Sequence, residues 1–195
     1  DARAGEVLER LFGGDVTILF LLAHVTTCPN IQVMNIRFTK GNDKPNTLTC
    51  IRADGSSTWA NLGKMPVGHD LTHYAVETTL GLQNSFFGLL AKGYSIQDFA
   101  LPKEQRTIVV PAEAKQTEFV VGLLQAELSD GAPNPEFFAV LDNACRNANL
   151  PLPRHRNPRQ LDAIRTRIRE LLLQWRSVPP GGALELEFTE ALVRA

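Results

Sequence analysis

The stretch Ala-Leu-Glu-Leu-Glu-Phe-Thr at residues 183–189 alternates along an extended chain, with both leucines and the phenylalanine on one side and both glutamates on the other. This alternation is typical of a β-strand with one buried and one solvated face. Further strand patterns at residues 35–39, 47–52 and 58–62 follow one another closely in the chain. Their short connections allow only antiparallel neighbours, and the terminal strand is most simply placed beside them. We therefore predict one α+β domain with a small antiparallel sheet, formed by this N-terminal meander and the C-terminal strand.

Helical periodicity fills most of the region between the meander and the terminal strand. Apolar residues recur every three to four positions in five segments, which we predict as the main helices. They cover residues 66–80, 86–92, 111–128, 135–147 and 158–175. Residues 95–99 favour a further short helical turn with Ser95 as its N-cap, and Asn134 is the predicted cap of the fourth main helix. The sheet is therefore expected to pack against about five helices.

The first 33 residues are predicted as an N-terminal helix and an apolar element ahead of a single domain at 34–195. Residues 4–12 show one apolar helical face, and residues 16–27 suit a buried strand or a short helix. The apolar run at 16–25 has about half of the roughly 20 residues that span a bilayer, and no basic leader precedes it. Neither a membrane span nor a signal peptide is expected. Met34 opens a strand pattern and is a candidate native start, and the basic, proline-rich joint at 150–158 is the best internal boundary.

Charge and cysteine content exclude several classes of protein. The 195-residue chain has a formal net charge of −1 and 44% hydrophobic residues. These values favour an ordinary globular core and exclude a chain-wide electrostatic contact with nucleic acid or acidic membranes. Cys28, Cys50 and Cys145 are widely spaced and odd in number. A disulfide framework is therefore not expected, and a reducing cytoplasm is the predicted compartment.

The residues with the clearest chemical meaning lie near the start of the predicted helix at 66–80. His69 and His73 are four residues apart, so their imidazoles project from one face and can reach one metal ion. Glu77 continues the same stripe one turn later. On a straight helix His69 and Glu77 are about 12 Å apart along the axis, so either both lean towards one ion or a third ligand comes from elsewhere. Candidates for that third ligand, which the sequence cannot rank, are Asp54, Asp98, Glu113 and Glu118.

Two known motifs are similar to this stretch. His69-Asp70-Leu71-Thr72-His73 is similar to the zincin helix motif His-Glu-x-x-His, with Asp70 in the place of the glutamate that acts as general base. His69-Asp70 is also similar to the His-Asp pair of the HD-type phosphohydrolases, which need a separate upstream histidine. The only upstream histidine here is His24, and it lies in an apolar run. Each resemblance covers a few residues and no more.

The first function hypothesis is a metal-binding protein that acts as a metal-dependent hydrolase on a small-molecule or peptide substrate. His69, His73 and Glu77 would hold a divalent metal ion such as zinc, and Asp70 and Glu77 are the candidate catalytic carboxylates. Tyr74 lies one turn after Asp70 and would orient the substrate. Two other interpretations stay open. One is a polar active site without a metal ion, and the other has no chemistry, with Asp70 stabilising the helix N-terminus and His73 and Glu77 forming a surface pair.

A basic segment gives the second hypothesis, a non-enzymatic interaction module that binds a protein or nucleic-acid partner. Seven arginines lie between residues 151 and 177, opposed only by Asp162 and Glu170. The planar guanidinium suits phosphates and anionic surfaces, although i, i+3 pairs with those two carboxylates would also explain the segment. Nucleic acid is the less favoured partner because aromatic residues do not interleave with the arginines, and a homo-oligomer stays open. The candidate partner-binding residues are Arg154, Arg156, Arg159, Arg165 and Arg169.

Overall fold

The strands form one four-stranded antiparallel sheet. A computed structural model describes residues 31–63, 67–101, 105 and 108–191. The strands are β1 (Ile31–Thr39), β2 (Asn46–Ile51), β3 (Ser57–Leu62) and β4 (Ala183–Ala191). Their order is β3-β2-β1-β4, so the C-terminal strand lies beside the first strand of the meander. This confirms the predicted addition of the terminal strand to the sheet.

One face of the sheet is buried and the other is exposed. In β4, Leu186 and Phe188 are buried, whereas Glu185 and Glu187 between them are exposed. Arg37 of β1 pairs with Glu185 on the exposed face. The alternation in the sequence therefore predicts the orientation of β4 correctly. The most deeply buried strand residues are Met34, Ile36, Phe38, Leu48, Cys50 and Phe188.

Six helices lie in the described part of the chain and agree with the predicted α+β fold. They are α1 (Val67–Leu80), α2 (Phe86–Ala91), α3 (Ile96–Ala100), α4 (Ala112–Asp130), α5 (Phe137–Asn147) and α6 (Pro158–Ser177). Ser95 caps α3 as predicted, by accepting a hydrogen bond from the Gln97 amide. Asn134 does not cap α5, because its side chain accepts the Glu136 amide in a turn just before the helix. Glu136 occupies the cap position instead.

Helix α1 is the centre of the helical layer. Every residue from Asp70 to Glu77 is buried, so the helix is covered on all sides over two turns. The Tyr74 hydroxyl donates a 2.8 Å hydrogen bond to the Glu187 carbonyl of β4, which attaches α1 to the sheet. Its other neighbours include α4 and α6. The polar side chains of α1 from Asp70 to Glu77 therefore lie inside the protein and not on its surface.

Several predictions concern residues outside the part that is described. The predicted helix at 4–12 and the apolar element at 16–27, with His24 and Cys28, lie outside the described residues, and the boundary at residue 33 stays a prediction. Ile31–Ala195 forms a compact unit, within which residues 148–157 connect α5 to α6. Cys50 and Cys145 are buried free thiols. Of the helices described, none is both long and apolar enough to cross a membrane.

Candidate metal centre

The two histidines of α1 lie side by side at the boundary between the core and a cavity. His73 is buried, and the side chain of His69, one turn earlier, keeps 19% of its surface exposed. Their rings meet edge to face with centroids 4.9 Å apart. The i, i+4 spacing therefore brings both imidazoles to one place, as the sequence predicts.

Glu118 reaches the same place from α4. One carboxylate oxygen lies 3.4 Å from Nε2 of His73, and the other lies 4.0 Å from Nε2 of His69. One ligand atom from each of these three residues can be chosen so that all lie within 4.8 Å of one another. Two ligands of a tetrahedral zinc ion at about 2.0–2.1 Å lie roughly 3.3 Å apart, so side-chain shifts of about 1 Å would close the set around one ion. The chemistry and geometry of the three groups therefore fit a divalent metal ion.

Glu77 lies on the far side of His73. Its Oε1 atom is 3.2 Å from Nδ1 of His73, whereas Oε2 accepts the amides of Phe87 and Gly88 at 2.9 and 3.2 Å. Two amides in the first turn of α2 therefore hold the completely buried carboxylate of Glu77 in place, and that carboxylate orients the imidazole of His73. The interpretation in which His73 and Glu77 form a pair on the surface is wrong, because both side chains are buried.

The two glutamates also determine the charge of His73. Burial lowers the pKa of its imidazole, but hydrogen bonds and charge from Glu118 and Glu77 outweigh burial and raise the pKa to about 9. His69 behaves in the opposite way: burial and the charge of His73 lower its pKa, and Glu118 offsets them only in part. Without a metal ion, the two glutamates therefore favour the protonated form of His73, although burial also raises the pKa of Glu77, and His69 beside it favours the neutral form.

Asp70 is a second buried carboxylate near the histidines. Its burial raises its pKa to about 6, while the charge of His73 acts to lower it and that of Glu118 to raise it. Asp70, both histidines and Glu118 line one cavity of about 840 Å³. Tyr74, the residue predicted to orient a substrate, instead holds β4 through its hydroxyl.

The other candidates for a third ligand have different roles. Asp54 binds an amide within the β2–β3 turn, and Asp98 completes the capping box of α3. Glu113 accepts the amide of Asn84 in the loop between α1 and α2. Of the four acidic residues that the sequence could not rank, Glu118 is the one that meets the histidines.

The walls of the cavity are the part of the site that sequence analysis missed. They come from the buried face of β2 and β3, from α2 and α3, and from the segment before α4. Representative wall residues are Leu48, Leu62, Phe86, Ile96 and Val110. These are ordinary core types in a sequence, and only the tertiary arrangement assigns them to a cavity.

The basic segment is partly neutralised by carboxylates of the fold. Arg165 holds both carboxylate oxygens of Glu127, at 2.9 and 2.7 Å, and also binds Asp162. Partial burial raises the pKa of Glu127, but the hydrogen bonds from Arg165 dominate and lower it. Arg156 binds Asp142 at 2.7 Å. The remaining candidates Arg154, Arg159 and Arg169 are exposed.

Comparison of the chain with protein-family models, with curated proteins and with solved structures finds no match.

Proposed function

We propose that the protein binds one divalent metal ion, zinc in the first instance, through His69, His73 and Glu118. The observation that carries this proposal is the convergence of three ligand atoms from two helices at the edge of a cavity. Two imidazoles and one carboxylate form a common ligand set of catalytic zinc sites, which keep a fourth position open for water.

The position of Glu77 supports the same proposal. Metal-bound histidines donate their second ring N–H to a carboxylate, a backbone carbonyl or water, which fixes the tautomer and the ring orientation. Glu77 stands in that position at Nδ1 of His73, so that Nε2 is directed at Glu118. In this proposal Glu77 is a positioning residue, and the third ligand is Glu118.

The reaction class that we propose is metal-assisted hydrolysis. A bound divalent ion lowers the pKa of a coordinated water and polarises a carbonyl oxygen. Asp70 lines the same cavity as the ligands and is the candidate general base. Its position directly after His69 is that of the glutamate in the zincin motif, although its side chain is one methylene shorter.

Metal analysis of the purified 195-residue protein after zinc loading and dialysis tests the proposal. We expect one zinc ion per chain in the wild type and a loss of zinc in His69→Ala, His73→Ala and Glu118→Gln. Glu118→Gln is the sharpest of these, because the side chain is 58% exposed and its replacement leaves the core intact. His155→Ala and Glu136→Gln change exposed residues and serve as matched controls. Equal zinc content in all the proteins would overturn the proposal.

The interaction-module hypothesis is the weaker second candidate. Arg156 and Arg165 each bind a carboxylate of the fold, so three of the five candidate arginines are left for a partner. Binding of an anionic partner through them would weaken steeply with salt and would not depend on zinc.

A further inference from the structure

The cavity beside the candidate metal centre has one polar end and an apolar body. His69, His73 and Glu118 meet at the polar end together with Asp70. Besides these four, Asn61 and Lys115 are the polar side chains among the described lining residues, and all others are apolar. The volume of about 840 Å³ lies within the range of small-molecule sites.

Among the described lining residues, this distribution of side chains favours one substrate class over two others. A phosphate ester needs several cationic or N–H donors around its oxygens, and Lys115 is the single lysine or arginine among the described lining residues. A peptide carries several amide groups, and each would lose its hydrogen bonds to water on entering apolar walls. An acyl chain needs no such partners, and its transfer into this cavity is favourable.

Building on the metal-dependent hydrolysis proposed above, we infer that the substrate is a carboxylic ester whose apolar acyl group fills the cavity. The ester carbonyl then lies at the polar end, beside the proposed ligands. Water adds to the carbonyl carbon, and the bond from that carbon to the alkoxy oxygen breaks. One proton of the water passes by way of Asp70 to the leaving oxygen, so that the products are a carboxylic acid and an alcohol.

Hydrolysis of p-nitrophenyl acetate and p-nitrophenyl octanoate by the zinc-loaded protein tests this inference. Each methylene that leaves water for an apolar site contributes up to about fourfold in kcat/KM. We therefore expect kcat/KM for octanoate to exceed that for acetate by about tenfold or more, allowing for incomplete burial of the chain.

Substitutions in the cavity wall test whether the preference for octanoate arises in the cavity or elsewhere on the surface. Ala60 lies on β3 and lines the cavity, so Ala60→Phe is expected to lower the octanoate-to-acetate ratio by filling the space. Ile108→Ala removes wall contacts at a partly exposed position, away from the strands and helices, and should lower the same ratio. Ala163→Phe, on the exposed face of α6, is the matched control and should keep the wild-type ratio.

The outcomes distinguish failure of the ester substrate from failure of the proposed metal site. A protein that binds zinc but hydrolyses neither ester, or both equally well, keeps the metal site and overturns the ester substrate. A ratio that falls equally in Ala60→Phe and Ala163→Phe also overturns it, because the preference then arises outside the cavity. A protein that binds no zinc overturns the metal site first, and with it the inference.

Discussion

Replacing Glu77 by glutamine tests how the buried part of the site works. The carboxylate uses Oε2 for two backbone amides of α2 and Oε1 for His73. Glutamine has nearly the same shape but one acceptor oxygen and one NH2 group. Because the two amides require the oxygen, the NH2 group must point at Nδ1 of His73. The neutral imidazole then accepts at Nδ1 and carries its proton on Nε2, the atom proposed to bind the metal.

We expect a loss both in zinc affinity and in the stability of the metal-free fold. Changing the group that orients a metal-bound histidine typically costs 10–100-fold in metal affinity, which is about 1.4–2.7 kcal/mol. The fold keeps every backbone amide paired but loses one charged partner of the buried His73, so the free energy of unfolding of the metal-free protein should fall by about 3 kcal/mol. Alanine is unsuitable here because it leaves two buried amides unpaired, at about 1–3 kcal/mol each.

Competition for zinc with a fluorescent chelator measures the affinity, and thermal unfolding of the metal-free protein measures the stability. Glu136→Gln makes the same chemical change at an exposed position and should alter neither quantity. The positioning role of Glu77 is refuted if Glu77→Gln unfolds near the wild-type temperature and binds zinc within about twofold of wild type. A twofold change in zinc affinity is much smaller than the 10–100-fold loss expected when a group that orients a metal-bound histidine is changed.

Two further predictions concern the packing of α2 against the loop before it and the ion pair between α4 and α6. Gly88→Ala places a Cβ 2.5 Å from the backbone of Gln83, so we expect a loss of about 2 kcal/mol or more in urea unfolding. Gly122→Ala in α4 meets open space and should gain about 0.5–1 kcal/mol, and a gain in both variants would contradict the clash. Glu127→Gln removes the carboxylate that Arg165 binds, so the free energy of unfolding should fall by about 2 kcal/mol at neutral pH. Since the folded-state pKa of Glu127 lies below its ordinary value of 4.5, this difference from wild type is fully present above pH 4.5 and shrinks as the pH falls below it. A difference that urea midpoints show to be constant down to acid pH would contradict the ion pair.

The elements of the fold could be predicted because local patterns in this sequence agree with tertiary structure. The bounds of all six described helices lie within two residues of the predicted segments. The exception among the strands is β1, which begins at Ile31 and not at Asn35. Val33 places an apolar side chain on the polar side of the strand, so the alternation is visible only from Met34 onward. Pairing with β4 extends the strand beyond what its own pattern indicates.

Only the part of the candidate site that lies on one helix could be predicted from the sequence. His69 and His73 follow from i, i+4 spacing, but the choice of Glu118 depends on how α4 crosses α1, which periodicity does not determine. One signal was present in the sequence. Ala114 and Val121, four residues before and three after Glu118, are apolar and place Glu118 beside an apolar stripe of the predicted helix, and the structure buries both of them.

The burial of α1 gives the strongest physical argument that its polar residues have a role beyond stability. Asp70, His73 and Glu77 are buried within two turns, although a charged group removed from water needs a partner and good geometry to be tolerated. Apolar side chains of similar volume at such positions are often as stable as a buried ion pair, or more stable by about 1–4 kcal/mol. A helix selected for packing alone would therefore carry apolar residues here. Clusters of buried titratable groups at the edge of a cavity are instead typical of sites that bind or react, and this one faces the cavity through His69 and Glu118.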